Sequence, residues 1–349
     1  MSGTSRALPG ALTYAGRTVW LKYHALLSGT HPFPANSLAA LRALLDGGAE
    51  VIEFDVGFTR DGGFALLHDP TLDRETTGMG PLRALTREEV RHLRLRGTTE
   101  PVATLDEVTA LLGAVGRPLK VQVDLKAWMP LTPTDTATFL EAIAPLRANP
   151  ALRVVVGCLA DWNLRRLRRW DRDLVLGLDF SHHLDAPVDA PLRLPTRVNA
   201  YGYLDDHPLG FRRWQPVAAY LEDRVEGLLD LLPDAAELYL RKELLLQAAA
   251  DGVDVVALVR RLRPDVLVDV WTLNAGEPGW EETLRQVLGA GVDQLTTDTA
   301  PALAEAAGTL EATQVTPAAA GESPHLRRGE SEAAEIEGQD DGEAVDKRA

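Results

Sequence analysis

The chain has little cysteine, little lysine and no long apolar run. Cys158 is its one cysteine in 349 residues, so an internal disulfide and a thiolate metal cluster are both excluded. No stretch of ~18 uninterrupted apolar residues occurs, which excludes a membrane-spanning helix. Lysine supplies five residues against 31 arginines, and 36 basic residues face 51 acidic ones for a formal charge of −15. That balance excludes an extended nucleic-acid or anionic-membrane surface, because both need clustered Lys and Arg. It does not exclude a small anionic substrate, which answers to local charge only. GxGxxG and Walker A patterns are absent, so no nucleotide-binding sheet is indicated. The N-terminus lacks a basic start, an apolar core and a small-residue cleavage site. The expectation is a soluble cytoplasmic protein with no stable membrane insertion.

What is present is a long alternation of short β-rich runs and helical runs, with 45% hydrophobic residues available for a core. Thr18–Tyr23, Glu50–Val56, Leu119–Leu125, Arg153–Gly157, Leu174–Leu178, Glu237–Leu240, Val266–Trp271 and Asp293–Thr297 read as eight strands. Helices are expected after nearly all of them: from Leu38 (capped by Asn36 or Ser37), from Thr104, over 134–147, from Asp161 as its cap, over 243–263 and over 280–289. Eight alternations without a two-domain break favour a closed (β/α)8 TIM barrel over an open doubly wound sheet. Residues 1–16 read as a flexible lead-in and 17–307 as the barrel. A proline-containing insertion at about 181–235 falls between strands 5 and 6, where a loop overhangs the barrel mouth. From 308 the composition turns to Ala, Gly, Glu and Asp, a disordered acidic tail.

Glu53 and Asp55 stand two apart in the strand VIEFDV and therefore share a face. Ionised carboxylates inside an apolar segment need a partner, and a divalent cation with oxygen ligands, Mg²⁺ or Ca²⁺, is one. The alternative is a solvated strand end. KVQVDLK strengthens the first reading, because Lys120, Gln122, Asp124 and Lys126 form a whole polar face on a strand expected to be buried. Asp124 would complete a three-carboxylate set and Lys126 would meet a phosphate oxygen. His24, ending the first strand, and His68, following Phe64–Leu67, make an acid–base pair beside such a cation. Trp271, at the end of VDVW, suits either an apolar ligand face or the core.

The stretch AEVIEFDVGFTRDGGFALLHDPTLDRETTG, with LKVQVDLK, VDVWTLN and GVDQLTTDTAP, resembles the glycerophosphodiester phosphodiesterase family from about residue 20 to 304. The resemblance implies a TIM barrel, a divalent cation on Glu53, Asp55 and Asp124, catalytic His24 and His68, and Lys126 at the phosphate. It also shows departures. Where the family reads His-Arg-Gly and Pro-Glu-Asn-Thr, this chain reads His24-Ala25-Leu26 and Pro34-Ala35-Asn36-Ser37. An arginine and a glutamate are missing, and Asp124 stands where a glutamate is usual. His31 then rivals His24, and Arg74 or Lys22 is the replacement for the lost positive charge. The expected activity is metal-dependent hydrolysis of a phosphodiester, a glycerophosphodiester by resemblance, to an alcohol and glycerol phosphate. The alternatives are a weakened barrel that binds a phosphorylated ligand without cleaving it, and a metal-dependent barrel lyase.

Overall fold

A computed structural model describes residues 7–185 and 217–314. The described residues begin with a hairpin, where 7–16 were expected to belong to a flexible lead-in. β1 (Ala11–Tyr14) pairs antiparallel with β2 (Arg17–Tyr23) in the register Ala11↔Trp20 to Tyr14↔Arg17. The two linking residues, Ala15 and Gly16, both take positive φ, 49° and 72°, the twist that two-residue hairpins favour. Tyr14 is buried, and this anchor is what the small, polar composition of the segment concealed.

Seven further strands run parallel to β2: β3 (Val51–Phe58), β5 (Leu119–Leu125), β6 (Leu152–Cys158), β7 (Leu176–Asp179), β8 (Glu237–Arg241), β9 (Leu267–Trp271) and β10 (Gln294–Thr297). They are hydrogen-bonded in the order β2-β10-β9-β8-β7-β6-β5-β3, and Tyr23↔Ile52 joins β3 back to β2. The sheet is therefore a closed (β/α)8 barrel, as the alternation predicts. β4 (Phe64–Ala65) adds a short antiparallel pair to β3.

Each strand of this barrel carries two kinds of side chain. On β3, Phe54 and Val56 are fully buried in the main hydrophobic core, while Glu53 and Asp55 sit on the opposite, inward face. Among the helices packed around the sheet are α1 (Leu38–Asp46), α2 (Arg87–Arg91), α3 (Leu105–Gly113), α4 (Pro133–Ala148), α5 (Asp161–Trp170), α6 (Val217–Leu229), α7 (Lys242–Ala250), α8 (Val255–Leu262), α9 (Trp280–Gly289) and α10 (Ala300–Gln314). Ser37 caps α1 by accepting from the Ala40 amide at 3.1 Å. Ala160, not Asp161, is the cap of α5. The helical stretch 243–263 divides into α7 and α8, because Gly252 takes φ 80° and Asp254 caps a new start. α10 runs to Gln314, past the compositional boundary at 308. Most of the expected insertion, 186–216, and the acidic tail from 315 lie outside the described residues.

The inside of the barrel is unusually polar. Lys22, Gln122, Glu237, Asp269, Gln294 and Thr296 are all buried there. Lys22 pairs with Asp269 at 2.7 Å and Lys120 with Glu237 at 2.8 Å. Thr296 donates to Asp269 at 2.7 Å. Pairing offsets a desolvation cost of several kcal/mol per ion. The Tyr239 side chain crosses the interior above Gly157 and Gly177, where an added Cβ would stand 3.3 Å from its ring and 2.2 Å from its phenolic oxygen respectively.

Between β3 and α3 the chain leaves the barrel mouth and builds a small core of its own, Ala65, Leu67, Leu72, Leu82, Val90, Leu95 and Val102. This excursion carries His68.

Candidate active site

Parallel register places the carboxylates. β3 and β5 pair with Glu53↔Gln122 and Asp55↔Asp124, so Asp124 lies beside Asp55. Asp55 and Glu53 are fixed from the β2–α1 loop. The Asn36 side-chain amide donates to Asp55 at 2.7 Å and its oxygen accepts from the Asp55 amide at 3.1 Å. The Ala25 amide donates to Glu53 at 2.7 Å. Asn36 does this at φ 56° and Ala25 at φ 46°, a conformation that Asn tolerates better than most residues. The sequence offered Asn36 as a helix cap and as the asparagine of the family's Pro-Glu-Asn-Thr pattern; its hold on Asp55 depends on how the loop folds back.

Lys126 lies 2.9 Å from Asp55 and is hydrogen-bonded to Asp124. Burial works against its charge, but the fields of Asp124, Asp55 and Glu53 prevail and hold its pKa well above the ordinary value. Burial, and then the Asp55 charge, pushes Glu53 up to about 8. Asp55 goes the other way: burial opposes ionisation, but Lys126, His68 and His24 outweigh it and bring its pKa down to about 2.

His24 follows directly on β2 in a single 3₁₀ turn, His24–Leu26. Its Nδ1 lies 2.8 Å from Asp298 at the end of β10. Asn274, after β9, donates to the other Asp298 oxygen at 2.8 Å and accepts from the Asp298 amide at 2.7 Å. Burial lowers the His24 pKa, but the Asp298 hydrogen bond and the Glu53, Asp298 and Asp55 charges overcome it and raise it to about 9. His68 is held locally and half exposed. Its Nδ1 is 3.0 Å from Asp69, and its amide donates to Glu75 at 3.1 Å.

One cavity of about 90 Å³ at the barrel mouth gathers His24, Glu53, Asp55, His68, Asp124, Lys126 and Trp271, with Lys22, Gln122, Asp179, Tyr239 and Thr296 among its other lining residues. Arg74 is the expected site residue that the structure places elsewhere. It is exposed and binds Asp69 through Nε at 2.6 Å and Nη2 at 2.5 Å, so it braces the neighbour of His68 instead of lining the cavity. His31 is also elsewhere: it stacks on Phe33 at 5.5 Å and lines a separate groove. Of the cations weighed for the missing arginine, Lys22 is the one on the cavity floor, tied to Asp269 and Gln122.

Glu53, Asp55 and Asp124 offer ligand oxygens within 4.8 Å of one another. Asp55 Oδ1 is buried, with the Lys126 ammonium 2.9 Å away as its charge partner. An all-oxygen set of three carboxylates this close together fits a hard divalent cation. His68, Asp69 and Glu75 form a second close group, but both Glu75 oxygens already accept backbone N–H bonds.

A profile of the glycerophosphoryl diester phosphodiesterase family matches residues 27–209, just over half of the chain. The chain belongs to that family. With membership comes the enzyme class, a phosphodiesterase. A glycerophosphodiester phosphodiesterase of Caldanaerobacter subterraneus subsp. tengcongensis is 28% identical over 230 residues, covering 63% of this chain and 87% of that protein. The human glycerophosphodiester phosphodiesterase 1 is 43% identical over 90 residues, 24% of this chain and 27% of its own length. In fold, the chain resembles the crystal structure of a glycerophosphodiester phosphodiesterase from Agrobacterium tumefaciens (TM-score 0.54, 18% identity, 82% of this chain and 99% of that one). It resembles equally an Oleispira antarctica phosphodiesterase solved with its product sn-glycerol-3-phosphate (TM-score 0.54, 16% identity, 82% and 95%).

Proposed function

We propose that this phosphodiesterase hydrolyses a glycerophosphodiester to an alcohol and glycerol phosphate with the help of a divalent cation, Mg²⁺ or Ca²⁺. The observation that carries the reading is the cavity in which Glu53, Asp55 and Asp124 meet His24, His68 and Lys126. Glu53, Asp55 and Asp124 would hold the cation. What it supplies when bound is polarisation of the phosphoryl oxygens and charge to offset that developing on them. Lys126 sits beside the same carboxylates and binds a phosphate oxygen.

His24 and His68 move the protons. Each has its Nδ1 committed, to Asp298 and to Asp69, which leaves Nε2 as the working atom on both rings. His24 takes the proton of the attacking oxygen, and His68 gives one to the departing alkoxide, too basic a group to leave unaided. A cation held by Glu53 and Asp55 would offset two of the charges that raise His24, with the Asp298 hydrogen bond still in place, and would so bring the ring toward the range in which it accepts a proton. Trp271 offers its indole face to the substrate, and its buried Nε1 has no hydrogen-bond partner among the described residues.

The test is release of choline from glycerophosphocholine with Mg²⁺ or Ca²⁺ present, by the wild type, His68→Ala and Glu53→Ala. Equal rates for all three would remove this mechanism. A second reading, binding without cleavage, is favoured by Ala25 standing at the family's arginine position. Calorimetry that shows tight binding of the diester with no product formed would establish it.

A further inference from the structure

Beside the catalytic cavity runs a second one, a groove of about 410 Å³ between the excursion after β3 and the β5–α4 loop. Lys126 lines both, and Asp69, the partner of His68 Nδ1, lines the groove. The groove therefore begins where the substrate phosphate would sit, on the His68 side. Its walls are apolar: Phe58, Pro70, Leu82, Trp128, Met129 and Pro130 belong to it.

The charges that line it are already matched. Asp69 holds Arg74, Lys126 holds Asp55 and Asp124, and Arg83 faces Asp135 at 3.4 Å while lying 4.4 Å over the Phe58 ring. A charged or strongly polar occupant would find no free counter-charge among these groups. An aliphatic one would cover Met129, which is 75% exposed although it is a flexible side chain well suited to irregular apolar contacts.

We infer that this groove is a subsite for an apolar chain carried by the substrate, attached to the ester oxygen that leaves on the His68 side. The inference rests on the proposed phosphodiesterase chemistry, and it narrows the substrate class to diesters of glycerol phosphate whose alcohol is an alkyl or acyl-bearing one. The net charge of −15 argues for a single amphiphile in the groove and against an anionic bilayer resting on it.

The experiment measures kcat/KM for a series of glycerophosphoalkanols from ethanol to octanol, each below its micelle concentration. A matched set with the alkyl chain on the glycerol instead of on the leaving alcohol runs beside it. Buried methylenes should raise kcat/KM by up to about fourfold each in the first set and not in the second. The slope with chain length is compared within each protein, so that losses common to all substrates cancel. It should flatten in Met129→Asp and persist in Trp170→Glu, which alters an exposed residue at the end of α5. A flat slope in the wild type, or the same slope in Met129→Asp, overturns the subsite. A slope confined to the glycerol-chain set overturns the assignment to the leaving side. Binding of alkyl glycerol phosphates by calorimetry separates the two levels. If no diester is cleaved yet affinity climbs with chain length, the hydrolytic reading fails and the groove stands. Flat affinities overturn the groove.

Discussion

At the scale of single residues, the site depends on groups that hold other groups. Asp298 fixes the His24 ring and favours its charged form, and Asn274 fixes Asp298. Asp298→Asn keeps the size and removes the charge. It should lower kcat on the order of 10²-fold or more and move the pH-rate limb that belongs to His24 toward acid. An unchanged profile would mean that Asp298 is only a packing residue. Asn36→Ala releases both polar atoms of the loop from Asp55 and should weaken divalent-cation affinity roughly 10- to 100-fold, read by titration against a metal indicator. Glu53 gives a pH prediction with a definite sign. Its pKa in the folded protein, about 8, lies above the ordinary 4.5. Its protonated form is thus the one the fold favours, and that contribution to stability is lost as pH rises from 4.5 to about 8. Cation binding needs the ionised form. The rise in Tm caused by Mg²⁺ or Ca²⁺ should therefore be larger at pH 9 than at pH 6, and equal rises would count against Glu53 as a ligand.

At the scale of elements, the barrel interior is built around one large ring and two missing side chains. Tyr239 on β8 lies across Gly157 on β6 and Gly177 on β7, and a Cβ at Gly177 would meet the phenolic oxygen at 2.2 Å. Gly177→Ala should destabilise by about 1–3 kcal/mol through overpacking, seen as a lower urea midpoint. Gly227→Ala, in the exposed face of α6 with open space around it, should be stabilising by about 0.5–1 kcal/mol because alanine loses less backbone freedom on folding. Equal effects at the two sites would contradict the packing argument. The same scale shows why the helix over 243–263 divides: the periodic pattern continues through Asp251-Gly252, but Gly252 turns left-handed and Asp254 restarts the chain with its own cap.

At the scale of the whole molecule, the described barrel closes between β2 and β10 and is finished by α10. We propose that residues 315–349 add nothing to its stability. Removing them should leave Tm and kcat/KM unchanged, and a fall in either would assign the acidic tail a place on the barrel. No helix among the described residues is long and apolar enough to cross a membrane, in keeping with the absence of long apolar runs.

The eight strands and most of the helices were legible along the chain, because side-chain alternation with a period of two is local geometry that each segment carries by itself. The same alternation put Glu53 with Asp55, and Asp124 with Lys126, on shared faces before any neighbour was known. What the tertiary structure decided was which of these faces meet. The β3–β5 register set Asp124 beside Asp55, closure of the barrel brought Asp298 to His24, and the loop after β2 carried Asn36 to Asp55 and His31 away. Arg74, close to His68 in sequence, turned outward to Asp69. Such meetings are fixed by strand order and closure, which join residues up to 274 positions apart, and no local spacing encodes them.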